Sequence, residues 1–402
     1  MSGRMWRSAA GVAMIAALVA GTGCGEDFAP YWRIDKLRVM GVRALPITSR
    51  PGQPAQLEAL VYQPDPAAEV TYKWEWCPFQ TSSASQYACP FTREELGELV
   101  RQGAEQSGQP LPPGFDIALV LPDFDLGSGP TAELPYPAEI FGEEERVEVV
   151  RGLCQLAQAG LASAAEEIVG AVSVPSCDAG YEVSVRVTVT SGDEEIIANK
   201  VILLWTGDAQ INENPEPTGV EIRVKNTSDI AKVAARLPWV PPATTPVNAR
   251  WVPLSEDEAL PVLVGVPYEL RTTLSDGSVQ IWQPRAPEGS DLELLPPERE
   301  ALTYRWFTTL GDLSDSSRLY KDGLNSLDEA SVTDLILPSN NSPDADPDGD
   351  GLPTRSDPCP YFPTDDRAGE DCTVRLWGVV RDGRRGLGWT SRAVKIIGHV
   401  ND

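Results

Sequence analysis

Residues 70–76, Val70-Thr71-Tyr72-Lys73-Trp74-Glu75-Trp76, decide the fold, because the chain repeats them as Leu302-Thr303-Tyr304-Arg305-Trp306-Phe307. Each copy alternates, so the tyrosine and the basic residue fall on opposite faces of a β-strand. A strand-like run precedes each copy, at residues 54–62 and 267–274. After an irregular excursion a long hairpin follows each. The first runs along Tyr181-Glu182-Val183-Ser184-Val185-Arg186-Val187-Thr188-Val189, turns at Ser191-Gly192-Asp193 and returns along residues 196–205. The second runs along Cys372-Thr373-Val374-Arg375-Leu376-Trp377-Gly378-Val379-Val380, turns at Arg381-Asp382-Gly383 and returns along residues 389–397. Both show period-two alternation around a glycine-containing turn. One order of elements met twice predicts two copies of one plan.

A central tryptophan strand closed by a late hairpin resembles an immunoglobulin-like sandwich. The Tyr-x-Trp strand followed by a V-x-V-x-V strand also resembles the PKD-type domains of bacterial surface proteins. The resemblance implies a mainly β chain: two Ig-like/PKD-like β-sandwiches in tandem, the first with a small helical insertion. The expected boundaries are residues 34–210 for sandwich one and 220–400 for sandwich two. Between them Ile211-Asn212-Glu213-Asn214-Pro215-Glu216-Pro217-Thr218-Gly219 reads as a linker.

Both copies are longer than a PKD domain, and insertions carry the excess. The first insertion spans about residues 90–175. Thr92-Arg93-Glu94-Glu95 is a capping box that opens a helix. Residues 143–171 are rich in Ala and Glu, with apolar residues at Val147, Val150, Leu153, Cys154, Leu156 and Leu161, and are expected to be helical. Gly152 and Gly160 are expected to break or weaken that helix. Residues 110–137 are proline-rich and read as loop.

The second insertion, about residues 340–360, holds the sharpest chemical motif: Asp344-Ala345-Asp346-Pro347-Asp348-Gly349-Asp350-Gly351-Leu352-Pro353-Thr354-Arg355-Ser356-Asp357-Pro358-Cys359-Pro360. Counted from Asp346, carboxylates stand at the first, third, fifth and twelfth positions, with Gly351 sixth. That is the spacing of a twelve-residue calcium loop. A hard cation takes six to eight oxygens, alternate residues of a tight loop point inward, and glycine permits the left-handed bend. Asp346, Asp348, Asp350 and Asp357 would supply carboxylates, Leu352 its carbonyl, and Thr354 a hydroxyl or a bridging water. Flanking prolines forbid EF-hand helices. The motif resembles a single thrombospondin type-3 repeat, with Thr354 in place of the aspartate common there. Close carboxylates repel without a cation, so Ca²⁺ is the expected cofactor, in a structural role.

The N-terminus reads as an export address. Arg4 and Arg7 precede an apolar run over residues 9–20, too short for a bilayer span, which takes about 20 residues. Leu18-Val19-Ala20-Gly21-Thr22-Gly23-Cys24 resembles a bacterial lipoprotein signal. Gly21 departs from the leucine usual at its place. The resemblance implies removal of residues 1–23, lipidation of Cys24 and a tether over residues 24–33. Gly25, rather than aspartate, after the cysteine favours the outer membrane or cell surface. The alternative is an ordinary secretory signal.

With Cys24 lipidated, six of the seven cysteines remain, an even number in an exported chain. Six cysteines allow 15 pairings. The expected ones join sequence neighbours, Cys77 with Cys89, Cys154 with Cys177 and Cys359 with Cys372, because each pair brackets a short excursion. A zinc site is disfavoured, since no C-x-x-C occurs and the single histidine is His399.

Composition narrows the function further. The chain has 402 residues, 33 basic against 59 acidic, and a formal net charge of −26. That balance argues against nucleic acid, whose phosphates demand Lys and Arg. One histidine near the C-terminus argues against triad chemistry. The expected function is that of a non-catalytic, lipid-anchored surface protein, adhesive or scaffolding, with the membrane as one partner and a surface protein or glycan as another. The alternative is a carbohydrate- or peptide-binding protein. Four of the 11 tryptophans, Trp32, Trp239, Trp251 and Trp282, lie in irregular regions, and exposed clustering of these would favour it. A third reading is a carboxylate-dependent glycoside hydrolase. Its candidates Asp193, Glu194 and Glu195 fall in a hairpin turn, where solvation explains them.

Overall fold

Both Tyr-x-Trp stretches are strands. Thr71–Cys77 buries Trp74 and Trp76, and Leu302–Thr308 buries Tyr304 and Trp306. The structure, a computed structural model, describes residues 30–108, 111, 116–161, 172–173, 177, 180–207, 210–240, 250–284, 294–337 and 372–400. The stretch that reads as an export address, with Cys24, and the acidic stretch with Cys359 lie outside these residues.

The protein is mainly β. In the first half, sheet 1 runs Arg38–Leu45, Ala55–Tyr62, Thr131–Leu134. Sheet 2 runs Thr48–Ser49, Glu194–Leu204, Tyr181–Ser191, Thr71–Cys77, Asp125–Gly127. Only its first pair is parallel. In the second half, sheet 3 runs Val252–Pro253, Pro217–Val224, Tyr268–Leu274, Val332–Ile336, Asp312–Leu313. Sheet 4 runs Leu260–Val264, Leu387–His399, Thr373–Asp382, Leu302–Thr308, Ser317–Tyr320, and again only its first pair is parallel. Each half thus places a tryptophan strand beside a closing hairpin and lays a short edge strand parallel to the hairpin's last strand.

Within each half the two sheets bury their alternate residues together. Val42 and Leu57 of sheet 1 share a cluster with Trp74, Val185 and Val187 of sheet 2. Ile222 and Leu270 of sheet 3 share another with Trp306, Leu376 and Val394 of sheet 4. Each fully buried aliphatic side chain contributes roughly 1.5–3 kcal/mol, so these interlayers hold the sheets face to face.

Between Thr71–Cys77 and Tyr181–Ser191 lie two helices, Arg93–Ser107 and Glu143–Leu161. The capping box forms: Glu95 N donates to Thr92 Oγ1 at 3.2 Å and Thr92 N to Glu95 Oε2 at 2.7 Å. Leu96 and Val100 of one helix and Val150 and Leu153 of the other join the first core. The second helix continues through Gly152, which does not break it, and Gly160 stands beside its last described residue, Leu161. Its buried face outweighs a glycine cost of about 1 kcal/mol. The proline-rich stretch is not all loop either. Asp125–Gly127 and Thr131–Leu134 become edge strands, since the second places Leu134 wholly inside the core.

Residues Trp32–Asp402 form one compact unit. The reason lies on the outer faces of sheets 1 and 4. In Ala55–Tyr62, Leu57 points into the first core while Leu60 and Tyr62 point away from it. In Thr373–Asp382, Leu376 points into the second core while Trp377 and Val379 point away. These outward residues meet one another. Met40, Leu60 and Tyr62 pack with Trp377, Val379, Leu387 and Trp389 in a third cluster that joins the halves. Tyr62 and Trp377 stand edge to face at 5.4 Å. Arg43 lies 4.1 Å over the Trp389 ring. Residues 32–34 also join the second half, where Thr308 N donates to Trp32 O and Ile34 N to Thr308 O, both at 2.9 Å.

Candidate functional site

The stretch between the halves is bound on both sides. Asn212, only 4% exposed, donates from Nδ2 to Asp382 Oδ2 at 3.1 Å and to Arg384 O at 3.0 Å. Its backbone N–H reaches Thr48 Oγ1 at 3.2 Å. Asn214 donates to Ala44 O at 2.7 Å and accepts from Leu387 N at 2.8 Å. One short polar stretch therefore bonds to the first half and to the hairpin turn of the second.

That turn is itself fixed. Asp382 Oδ1 accepts from Arg384 N at 2.8 Å and from Gly386 N at 2.6 Å. Arg384 Nε donates to Glu300 Oε1 at 2.5 Å, and Glu300 is 1% exposed. Burial pushes the Glu300 carboxyl up from its ordinary range, and the Arg384 hydrogen bond pulls it partly back. Lys200 crosses from the first half to donate to Arg385 O, and Arg385 pairs with Glu182. Burial lowers the Lys200 ammonium to about 8, with Asp382 opposing the shift.

Beside this lock the two halves enclose a cleft of about 600 Å³. Its apolar lining includes Ile47, Val201, Leu203 and Leu294, and its polar lining includes Gln210, Asn212, Gln283 and Arg384, with Trp282 among them. Trp282 is half-buried, with the Arg384 guanidinium 5.5 Å from its ring centroid. The cleft thus offers an aromatic group, an apolar floor and both neutral and charged hydrogen-bonding groups, Glu182, Arg384 and Arg385 being the charged ones.

Of the described residues singled out by sequence, Trp282 lines the cleft. Asp346, Asp348, Asp350, Leu352, Thr354, Asp357 and Cys24 lie outside the described residues. Cys77 and Cys89 form a disulfide with Cα atoms 5.2 Å apart, and Cys154 and Cys177 form another at 5.7 Å. Cys372 is disulfide-bonded. Cys359 lies outside the described residues. Among the described residues no cluster of three His, Cys, Asp or Glu could hold a metal ion, and no helix is long and apolar enough to cross a membrane.

The four tryptophans do not gather into one platform. Trp32 and Trp239 pack on the second core. Trp251 lies between Arg223 and Arg271, at 4.3 and 4.6 Å from their guanidiniums. Only Trp282 lines the cleft. Asp193 is exposed in the turn and Glu194 and Glu195 are exposed at the start of the following strand, and Glu194 accepts from Leu37 N at 3.2 Å. Sequence reasoning passed over Asn212, Lys200, Glu300 and Arg384. The one available signal was Arg381-Asp382-Gly383-Arg384-Arg385, a basic turn in an acidic chain.

The fold defines a mainly β protein of paired sheets. No protein-family model and no curated protein matches the chain. Among solved structures, it is similar to the native conformation of E. coli alpha-2-macroglobulin, with 9% identity and a TM-score of 0.18, over 94% of this chain and 17% of that one. It is similar to Salmonella alpha-2-macroglobulin reacted with methylamine, with 11% identity and a TM-score of 0.16, over 93% of this chain and 17% of that one. The three N-terminal domains of the bacteriophage RB49 outer capsid protein Hoc match at 7% identity and a TM-score of 0.14, over 90% and 99%. The chain therefore spans under a fifth of the alpha-2-macroglobulins it resembles, and TM-scores this low carry no argument about function.

Proposed function

We propose that this chain is a non-catalytic, lipid-anchored cell-surface protein of adhesive or scaffolding role, built from two Ig-like/PKD-like sandwiches in tandem. The first sandwich carries the helical insertion, and the second carries a structural Ca²⁺ loop. The observation that carries the reading is the junction. Met40, Leu60 and Tyr62 against Trp377, Leu387 and Trp389 make an apolar seam, and Asn212 and Asn214 bond across it. A module that bears load between an anchor and a partner needs its halves held in one orientation, and a buried seam supplies that better than a free linker. The repeated parallel edge pairing supports the tandem plan. The two disulfides support an oxidising compartment.

Metabolic labelling with an alkyne fatty acid, joined to antibody staining of intact cells, tests this. The wild-type chain should carry label and stain at the surface, whereas Cys24→Ser should lose the label and be released. An unlabelled, internal wild-type chain would overturn the reading. The binding alternative is favoured by the cleft beside Trp282.

A further inference from the structure

We infer that Arg305 and Arg381 form a binding site for a phosphate or sulfate group on the outer face of sheet 4. The inference goes beyond the proposed function and needs neither the lipid anchor nor the calcium loop.

Strand register brings the pair together. Arg381 stands opposite Thr303, and Val379 opposite Arg305. Opposite residues share a face, so the two arginines are diagonal neighbours, within reach of one another's long side chains. The same face carries Phe307, Val379 and Leu387 of the seam. On the edge strand, the exposed Ser317 stands opposite Arg305 and the exposed Leu319 opposite Thr303.

The first observation is two cations without counter-charges. Neither guanidinium makes a hydrogen bond or an ion pair with a described residue. In each, Nε is shut away from solvent, and the terminal nitrogens, equally unpartnered, stay accessible. Arg33, Arg151 and Arg186 also bury an unpartnered Nε, yet each reaches a carboxylate through a terminal nitrogen. The chain has 59 acidic residues, and none of the described ones pairs with Arg305 or Arg381.

The second observation is that this arrangement is costly as it stands. Burial, and then the charge of Arg305, push the Arg381 guanidinium down from its ordinary value. Stems that cover Val379 and Leu387 would explain one arginine. Two this close repel, and an anion held between them relieves both the repulsion and the lost hydration.

The third observation is the chemistry of the face. Each guanidinium presents a fork of N–H donors that matches an oxyanion. Two positive charges match a dianion better than a single carboxylate. Thr303, opposite Arg381, and Ser317, opposite Arg305, add hydroxyls on the same face. Two forks and two hydroxyls suit the several oxygens of a tetrahedral phosphate or sulfate.

The test is calorimetric titration of the full exported chain, made as Cys24→Ser so that no lipid contributes. The probes are inorganic phosphate, sulfate and, as a singly charged control, acetate. Flotation with vesicles of phosphatidylcholine, with and without phosphatidic acid, is the second arm. Phosphate or sulfate should bind more tightly than acetate. Binding should be about tenfold weaker in Arg305→Gln and in Arg381→Gln, absent in the double variant, and unchanged in Arg250→Gln, an exposed arginine elsewhere. Vesicle binding that needs phosphatidic acid and both arginines, without binding of the free anions, supports the site and makes a lipid headgroup its source. Melting curves check each variant. Should an arginine variant not fold, the exposed Ser317→Ala, several-fold weaker, carries the comparison. Binding of neither probe class, acetate bound as tightly as phosphate, or binding indifferent to these substitutions overturns the inference.

Discussion

Asn212 Nδ2 and Asp382 Oδ2 lie 3.1 Å apart across the meeting of the two halves. The asparagine belongs to the stretch that reads as a linker and the aspartate to the closing turn of the second half. Their bond, out of reach of water, turns a connection in sequence into a fixed joint in space.

Asn212→Ala removes the donor to Asp382 and to Arg384 O while its neighbours stay in place. Asp382 keeps bonds from Arg384 N and Gly386 N. The expected loss is therefore about 1–3 kcal/mol, the range for leaving buried polar partners unmatched. Urea unfolding measures it. A change below about 0.5 kcal/mol would mean that the seam holds without this bond.

Gly41 faces Leu387 across the same seam so closely that an added Cβ would stand 2.7 Å from Leu387 Cδ2. Gly41→Ala should cost about 1–3 kcal/mol by overpacking. Leu387→Ala should cost about 2–5 kcal/mol by leaving a cavity. Combined, they should cost less than their sum, because the methyl then has room. A double-mutant cycle with additive energies would contradict the contact.

Lys200 makes the stability of the protein depend on pH. Burial lowers its ammonium from the ordinary 10.5 to about 8. Between those values the unfolded chain holds a proton that the folded chain has released, so stability rises with pH through that window. Below pH 8 the penalty is fully present, on the order of 3 kcal/mol. Lys200→Met should exceed the wild type in stability at pH 7, and the two should converge by about pH 10. Taking the difference between the two chains cancels the buried tyrosines, such as Tyr181 and Tyr268. Burial raises their phenols, so they lower stability once unfolded tyrosines ionise, near pH 10. A gap that stays constant with pH would contradict this account.

Calcium tests the acidic loop. If Asp346, Asp348, Asp350 and Asp357 bind Ca²⁺, millimolar calcium at about ten times the Kd adds about 1.4 kcal/mol. Differential scanning calorimetry should then show a higher Tm with calcium than with EGTA. Asp348→Asn with Asp350→Asn should remove the difference. Equal melting of the wild type in both conditions would count against the loop.

Several elements were legible because their signals are local. Alternation in Val183, Val185 and Val187 reads directly as a strand with one buried face, and Thr92 with Glu95 reads directly as a helix start. Gly152 does not break its helix, because propensity weighs single residues while the helix is held by its whole packed face. The cleft was not legible at all. Ile47, Leu203 with Asn212, Trp282 and Arg384 come from four separate stretches, and no spacing joins them.

The sequence by itself determined a mainly β chain with twin tryptophan strands and closing hairpins, because side-chain periodicity is imposed by the backbone. Only the tertiary structure decided that the two halves meet. Trp377, Val379, Leu387 and Trp389 lie on the side of their hairpin turned away from its own core. Apolar residues there must find cover, and the outer face of Met40, Leu60 and Tyr62 supplies it. That match of two surfaces far apart in the chain creates both the fixed joint at Asn212 and the cleft beside it.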